Sequence, residues 1–384
     1  MNADTCVVVP TVRNPDCVRA YVANAREHGH ADRLQFLLVT EEFCDTAAME
    51  RMLEELDVPG AVVDGPAREE WLRERGVGEY SHLIPAASHA QTSFGLLYLW
   101  SEGFDYGVFL DDDTAPHDTD FFGRHYDNLA RTGEVTHVRS DERWVNVLYQ
   151  NFEEHGLYPR GYPYSAMDET VETTTEPVDR VVASQGLWTN VPDLDAVRIL
   201  MDGDLQGQAT TLTSREDYDE EFVAAPGQYL TVCSMNLAFR REVVPAFYQL
   251  PMDDNEWGVG RFDDIWSGVF LKRAADLLGD SVLTGYPLCE HNKAPRSTFD
   301  DLASEAPALE LNEHVWRLVD DAGDGAGTYS EAAAAMAEAL VRAGDRDYRN
   351  APFLELVGEY TLDWLDCLDA LAPLPAREPA AADD

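Results

Sequence analysis

Apolar residues in the first third of this chain fall into short runs separated by amphipathic stretches. Thr5 to Val9 is a β-branched run ending in Pro10-Thr11-Val12-Arg13-Asn14-Pro15, and the spacing then predicts a helix from Asp16, its cap, to about His28. Leu34 to Thr40 predicts a second buried strand, followed by acids and a helix to about Leu56; Gly60 to Val63 predicts a third, short strand. His82 to Trp100 reads as a loop and a helix, with Phe94, Leu97 and Tyr98 at helical spacing, and Tyr106 to Leu110 as a fourth strand. This alternation gives βαβ units and a parallel sheet, whose ligands bind beyond the carboxyl ends of the strands. Arg13, Glu41, Glu42 and Asp64 lie just past such ends, and His89 and Gln91 sit near a helix start, facing either ligand or water. A nucleotide site is expected there. No Gly-x-Gly-x-x-Gly follows a predicted strand, which disfavours a dinucleotide.

The pattern then loosens. From about Val135 to Asp195 the chain is less regular and aromatic-rich, including Tyr158 to Ser165 and Ser184 to Asp193; such segments suit a shallow sugar-binding wall and equally suit loop packing. After a polar acidic insertion, Gln206 to Glu221, a strand is expected over Val232 to Arg240 and a helix near Glu242 to Tyr248. Asp263 occupies an N-cap position before a helix to about Leu278, and Val282 to Gly285 reads as one more strand, which delivers His291. Tyr329 to Arg342 and Asn350 to Leu371 are helical patterns, and the end of the chain is rich in Pro, Ala and acids.

Composition changes this picture in three ways. With 384 residues and 45% hydrophobic content the chain can build one large domain or a domain with an appendage. Its 72 acidic and 28 basic residues give a formal net charge of -44, with acids spread over the whole length. That distribution fits adaptation to high salt, which screens self-repulsion, and argues against a nucleic-acid partner, which needs basic stripes. The six cysteines form no Cys-x-x-Cys pair and read as reduced; with no basic-apolar leader and no apolar run of ~18 residues, a cytoplasmic protein without a membrane span is expected.

Candidate chemistry centres on Asp111-Asp112-Asp113, which follow the apolar Val108 to Leu110. Carboxylates at a strand end can hold magnesium or manganese, and the cation can in turn hold a diphosphate. Persisting strand geometry would put Asp111 and Asp113 on one side and Asp112 on the other, with Pro116 stopping the strand. In so acidic a chain a solvated loop is an equal reading of these three residues alone. Asp263 and Asp264 either cap a helix or meet the substrate, Asp264 then binding the sugar or acting as a base. His291, with Lys293 beside it, suits a third metal ligand and a phosphate contact.

Together these residues resemble the reversibly glycosylated polypeptide family, which includes UDP-arabinopyranose mutases. The resemblance covers about residues 5 to 305 and is carried by Val9 to Asn14, Asp111 to Asp113, Arg160 to Ser165, Ser184 to Trp188, Cys233 to Phe239, Gly260 to Trp266, and Thr284 to Pro287 leading to His291 and Lys293. It implies an α/β, GT-A type nucleotide-sugar-binding fold with a mostly parallel central sheet flanked by helices, a catalytic domain over 1–305; the helical patterns and composition beyond it predict a helical C-terminal extension over 306–372 and a disordered acidic tail over 373–384. It implies a metal-dependent, flavin-free exchange of the pyranose and furanose forms of a UDP-sugar, a precursor of cell-surface glycans. Alternatives are a glycosyltransferase using the same donor site and a non-catalytic subunit of a mutase complex. The residues implied are Asp111, Asp113 and His291 for Mn2+ or Mg2+; Pro10, Thr11, Arg13, Asp112, Gln185, Trp188 and Asn236 for the nucleotide sugar; and Asp263, Asp264, Arg160 and Lys293 for catalysis. The partner is the UDP-sugar, in a homo-oligomer or a complex with related subunits.

Two departures stand out. The family commonly has an arginine, associated with self-glycosylation, shortly after the Tyr-Pro-aromatic-Ser segment, where this chain has Ala166-Met167-Asp168. After the second strand it reads Thr40-Glu41-Glu42 where the family tends to have an aspartate. The charge balance also generates a test: the thermal midpoint should rise steeply between low salt and molar KCl, as screening removes self-repulsion. A midpoint that is flat or falls with salt contradicts the high-salt reading.

Overall fold

The computed structural model describes residues 3–88 and 91–371. His89 and the acidic tail over 373–384 lie outside the described residues. Seven strands position the site: β1 (Thr5–Pro10), β2 (Leu34–Val39), β3 (Gly60–Val63), β4 (Tyr106–Leu110), β5 (Val181–Asn190), β6 (Asn236–Arg240) and β7 (Ser281–His291). They belong to an eleven-stranded sheet in the order β3-β2-β1-β4-β6-β5-β7, continued by Phe222–Ala224, Gly133–Ser140 and Val171–Val178. The α/β expectation holds, and β3-β2-β1-β4 are parallel throughout. β6 runs antiparallel to both β4 and β5, while β7 lies parallel to β5. The ends of β1, β2, β4, β5 and β7 and the start of β6 therefore meet at one edge.

Local chemistry explains the elements. Helix α1 (Cys17–Glu27) starts after Asp16, which stands at the N-cap without a side-chain capping bond. Thr46–Glu55 is properly capped, Asp45 accepting from the Ala48 amide at 3.0 Å. Helix α2 (Gln91–Glu102) packs on the sheet through Gly95, where an added Cβ would lie 2.5 Å from Val8 Cγ1. Helix α3 spans Asp263–Leu278, with Phe262 at the N-cap and Asp263 and Asp264 inside the first turn, one position later than expected for a capping Asp263. Helix α4 (Thr298–Asp320) runs across the boundary drawn at 305/306. Beyond it, Tyr329–Ala343 and Ala351–Leu371 cover the turn Arg241–Ala246; Trp364 Nε1 donates to Val244 O at 3.2 Å and its ring stacks on Tyr248. No helix among the described residues is long and apolar enough to cross a membrane.

Several sequence expectations are corrected. The aromatic, irregular stretch to Asp195 contains Gly133–Ser140, Val171–Val178 and the ten-residue β5. β5 is buried at nine consecutive positions, and a strand covered on both faces loses the polar alternation that would reveal it. Pro116 does not end strand structure: Thr114–Pro116 pairs antiparallel with Cys289–His291, with the proline as last residue. β7 is far longer than Val282 to Gly285, the register shifting between Gly285 and Cys289. The expected helix near Glu242 is a 3-10 turn containing Pro245.

At Gly95 the clash with Val8, about 1–3 kcal/mol for an overpacked core site, outweighs the roughly 1 kcal/mol that alanine gains over glycine in helix propensity. Gly95→Ala should therefore lower stability in chemical denaturation; unchanged or raised stability would show that α2 is free to shift.

Candidate functional site

The converging strand ends enclose a cavity of about 520 Å3. Pro10, Thr11, Arg13, Asp111, Asp112, Asp113, Arg160, Asp263, Asp264, His291 and Lys293 all line it. Three expected contacts do not. Gln185, Trp188 and Asn236 are buried in the sheet away from this lining, and the Asn236 amide is spent on Leu187 O and Pro287 O at 3.2 and 2.9 Å. Of the segment Ser184 to Asp193, which suited a sugar-binding wall or loop packing equally, Ser184 to Asn190 belongs instead to β5, buried except at Asn190.

The triple aspartate leaves strand geometry at once, Thr114 N bonding back to Asp111 O at 3.2 Å in a turn. The three carboxylates separate by partner. Asp112 accepts from Thr11 Oγ1 at 2.7 Å and from Arg13 Nε at 3.0 Å, with Arg13 Nη2 on its other oxygen, so it ties the loop after β1 to the end of β4. Asp113 Oδ1 lies 3.8 Å from His291 Nε2, and its carbonyl accepts from Asn292 N at 2.8 Å. Burial, then Asp113, Asp264 and Asp112, holds Asp111 well above the usual carboxylate range.

These residues fit a divalent cation. His291 Nδ1 lies 2.7 Å from Val191 O, which can only accept, so that nitrogen carries the proton. Burial lowers the His291 pKa, so the ring is neutral and its Nε2 lone pair faces a carboxylate oxygen: two acceptors with no proton between them. A cation would satisfy both and relieve Asp111. The arrangement is open rather than closed. Among the described residues, the trio of candidate ligands with atoms all within 4.8 Å of one another is Glu154, His155 and Asp217, outside this cavity and accounted for by the His155–Asp217 pair at 2.7 Å.

The opposite wall is built on Arg160. Its Nε donates to Asp193 at 3.1 Å, while Nη1 and Nη2 each reach Asp264 at 3.0 Å and Nη1 also reaches Arg261 O. Arg261 turns that carbonyl inward from a left-handed backbone, φ 62°. Burial raises the Asp193 pKa, but Arg160 and Lys293 outweigh it and hold the carboxyl at about 2. Lys293 is 8% exposed, and among the described residues its Nζ makes no hydrogen bond or ion pair. Burial lowers its pKa, Asp193 opposes this, and Arg296 and Arg261 add to it. Arg160 is thus committed to its carboxylates, while Lys293 faces the cavity.

Asp193, Arg261, Arg296, Gln91 and Glu41 also line the cavity. Asp193 and Arg296 escaped sequence reasoning; the available signal was a charged residue just past a strand end. Glu41 stands where the family tends to have an aspartate, its Oε1 accepting from Arg68 Nη2 and Gln91 Nε2 at 2.8 Å each. Met167 lies outside the cavity lining, its sulfur against the Arg198 guanidinium.

The chain matches the sequence model described as "Reversibly glycosylated polypeptide" over residues 51–366. It belongs to the reversibly glycosylated polypeptide family. Family relatives include probable UDP-arabinopyranose mutase 4 of Arabidopsis thaliana, 29% identical over 281 residues, 70% of this chain and 67% of that protein. Probable UDP-arabinopyranose mutase 1 of Pisum sativum is 32% identical over 217 residues, 55% of this chain and 51% of that protein. The chain thus spans about half to two thirds of the length of the curated family members it matches. Similar solved structures include glucosyl-3-phosphoglycerate synthase from Mycobacterium tuberculosis, with 12% identity, a TM-score of 0.38 and coverage of 81% and 80% of the two chains. A mannosyltransferase from Pyrobaculum calidifontis in complex with GDP-Man and Mn2+ has 14% identity, a TM-score of 0.35 and coverage of 97% and 86%.

Arg160→Met would strand two buried carboxylates and should cost about 3–5 kcal/mol at pH 7. The loss should shrink as pH falls toward 4, because without the arginine the Asp193 pKa rises and the carboxyl takes up a proton earlier. Denaturation at both pH values in molar salt checks the sign; an equal loss at both would mean the charges are not its cause.

Proposed function

We propose that this protein is a metal-dependent UDP-sugar mutase that interconverts the pyranose and furanose forms of a sugar of the UDP-arabinose class. One observation carries the reading: Asp111, Asp113 and His291 face Lys293 and the Arg160–Asp264–Asp193 group within one cavity of about 520 Å3. That volume lies in the range for a single small-molecule ligand. Family membership and the mutase names of the relatives support it.

The chemical problem is to break the bond between the anomeric carbon and phosphate, let another hydroxyl oxygen of the same sugar bond to that carbon while the old ring oxygen leaves it and takes up the hydroxyl's proton, and then remake the bond to phosphate. Asp111, Asp113 and His291 would hold the divalent cation, which supplies charge neutralisation at the diphosphate. Lys293 Nζ, without a hydrogen bond or ion pair among the described residues, donates to the diphosphate oxygen that gains charge as the bond breaks. Asp264 stabilises the positive sugar from the opposite side, and Arg160 fixes its orientation as a positioning residue. Thr11 and Arg13, locked to Asp112, form the wall at which the uridine is held, so that UDP stays in place for recombination.

The test incubates the protein with manganese and a panel of UDP-pentoses and UDP-hexoses in molar salt, without acceptor, and separates the nucleotide products. A second UDP-sugar of unchanged mass, abolished by Asp113→Ala, is expected. Lys293→Ala should lower kcat about 100- to 1000-fold, the usual loss of one charge-stabilising donor, with a smaller effect on binding. Free UDP, or unchanged donor despite measurable binding, would point to transfer onto an acceptor or to a non-catalytic subunit.

A further inference from the structure

Exposed apolar side chains gather in one corner of the molecule where the chemistry above gives them no task. Met201, Leu205 and Phe299 are 80%, 62% and 58% exposed, and Leu200 and Leu212 are exposed as well. A single such side chain needs no explanation; five from one corner of a chain with a net charge of -44 do. Residues 203–209 form a small hairpin closed by a bridge between Gly203 and Ala209. Asp204 Oδ1 accepts from Gln206 N and Gln208 N at 2.8 and 3.0 Å, and Gly207 turns the chain at φ 78°. Thr298 pins this hairpin to the start of α4. Its hydroxyl donates to Asp204 O at 2.7 Å and accepts from Gly207 N at 2.9 Å, while its amide donates to Leu205 O at 3.2 Å. Leu205 and Phe299 therefore leave neighbouring backbone positions. Leu200 and Met201 end the short helix Ala196–Met201 that leads into the hairpin. Leu212 follows it, where Asp202 accepts from the amides of Thr210 and Thr211 at 2.8 and 3.2 Å.

The same hairpin borders the cationic side of the cavity. Gln206 O accepts from Arg296 N at 3.0 Å, and Gln208 Nε2 donates to Lys293 O at 3.1 Å. A Cβ at Gly207 would lie 3.5 Å from Arg296 Cγ and 3.9 Å from Lys293 Cε, so glycine lets the hairpin approach both. Arg296 lines the cavity with its side chain 42% exposed. Its Nε pairs with Asp301 at 2.8 Å, and among the described residues its Nη1 and Nη2 make no hydrogen bond. Burial, then Arg261, lowers its pKa, and Asp301 opposes this. A half-exposed guanidinium fork with unused donors suits phosphate oxygens. It stands between the cavity and an apolar surface.

We infer that this corner binds an anionic amphiphile, a long-chain phosphate monoester whose phosphate meets Arg296 at the cavity mouth and whose chain lies over Leu205, Phe299 and Met201. The inference goes beyond the mutase reading, which uses no such ligand, and does not depend on it. Charge complementarity and continuity with the cavity select the occupant. A wholly apolar partner would leave the Arg296 fork unused, and free phosphate would leave the patch bare. A second copy would bring another net charge of -44 to the same place. Asp300, exposed next to Phe299, weighs against an anion, but in molar salt charges act only over about 3 Å, so direct contact at Arg296 decides.

Butyl, hexyl and octyl phosphate, below their micelle concentrations and without divalent cation, are titrated into the full chain in molar KCl. Inorganic phosphate supplies the headgroup alone, and octyl glucoside the chain without the charge. Affinity should climb with chain length, by up to about 4-fold for each buried methylene at ~0.8 kcal/mol apiece, and both control probes should bind far more weakly. The Leu205→Ser/Phe299→Ser variant should flatten the chain-length dependence. It should leave inorganic phosphate, UDP binding with manganese and the thermal midpoint unchanged, because both side chains are exposed. Arg296→Gln should weaken octyl phosphate about 10- to 100-fold, the loss of hydrogen bonding to a charged group, and leave octyl glucoside as it was. Equal affinity for octyl glucoside and octyl phosphate overturns the anionic headgroup. Affinity independent of chain length, or unaltered in Leu205→Ser/Phe299→Ser, overturns the patch as the place of the chain. A concentration-dependent dimer in gel filtration that this variant abolishes assigns the patch to a second copy and overturns the proposal. UDP binding, measured separately, shows whether the nucleotide-sugar reading stands or falls on its own.

Discussion

Asp111, Asp112, Asp113, Asp193 and Asp264 meet at one edge of the sheet, and the surroundings of the cavity follow from how their repulsion is offset. Two unit charges interact far more strongly in a partly buried site than in water. Arg13 and Thr11 take up Asp112; Arg160 takes up Asp193 and Asp264 together. What remains is Asp111, and Asp113 with only a 3.7 Å approach from Arg13 Nη2 and a neutral histidine lone pair, and this partly balanced remainder is the physical argument for a cation there. Salt, which suits the net charge of -44 over the outer surface, screens buried groups much less. Local partners must balance the cavity.

What is legible in the sequence follows the same division. An apolar strand ending in Asp111 to Asp113 is a local pattern, and so is His291 at the end of a strand; both are visible along the chain and both line the cavity. The parallel order β3-β2-β1-β4 is legible because alternating strands and helices allow few topologies. β5 is not, since burial on both faces removes its alternation, and Trp188 and Gln185 therefore read as wall residues in the sequence. Nor can the pairing of Arg160 with Asp264, 104 positions apart, be seen along the chain. Asp193 offers only the weak signal of a charge just past a strand end, because its partner Arg160 is distant along the chain.

Met167 illustrates how a departure from a family pattern reads differently in three dimensions. On sequence alone, its replacement of a family arginine puts catalysis in doubt. In the structure the segment around it packs against α4, where Glu313 accepts from the Tyr164 amide at 2.7 Å, and the Met167 sulfur rests on Arg198. That position contributes nothing to the cavity lining, so the chemistry proposed for the cavity does not depend on what stands there. Arg160, which does line the cavity, has its guanidinium already committed to Asp193 and Asp264.

The two unbalanced groups also explain why nucleotide sugar and metal would bind together. Asp111 and Asp113 form a negative corner touched only at its edge by Arg13, whose Nη2 lies 3.7 Å from Asp113 Oδ2, while Lys293 is buried beside Arg296 and Arg261 and is pushed toward its neutral form. Each group lowers the charge the other must bear only if something spans the cavity between them. A divalent cation alone relieves the acids and leaves the lysine as it was; a diphosphate alone relieves the lysine and adds charge near the acids. Both together offset both, so each ligand should strengthen the other by linkage. Arg160 contributes by being already paired: it would keep Asp193 and Asp264 from competing for a cation, and so would leave the end of β4 as the place for one.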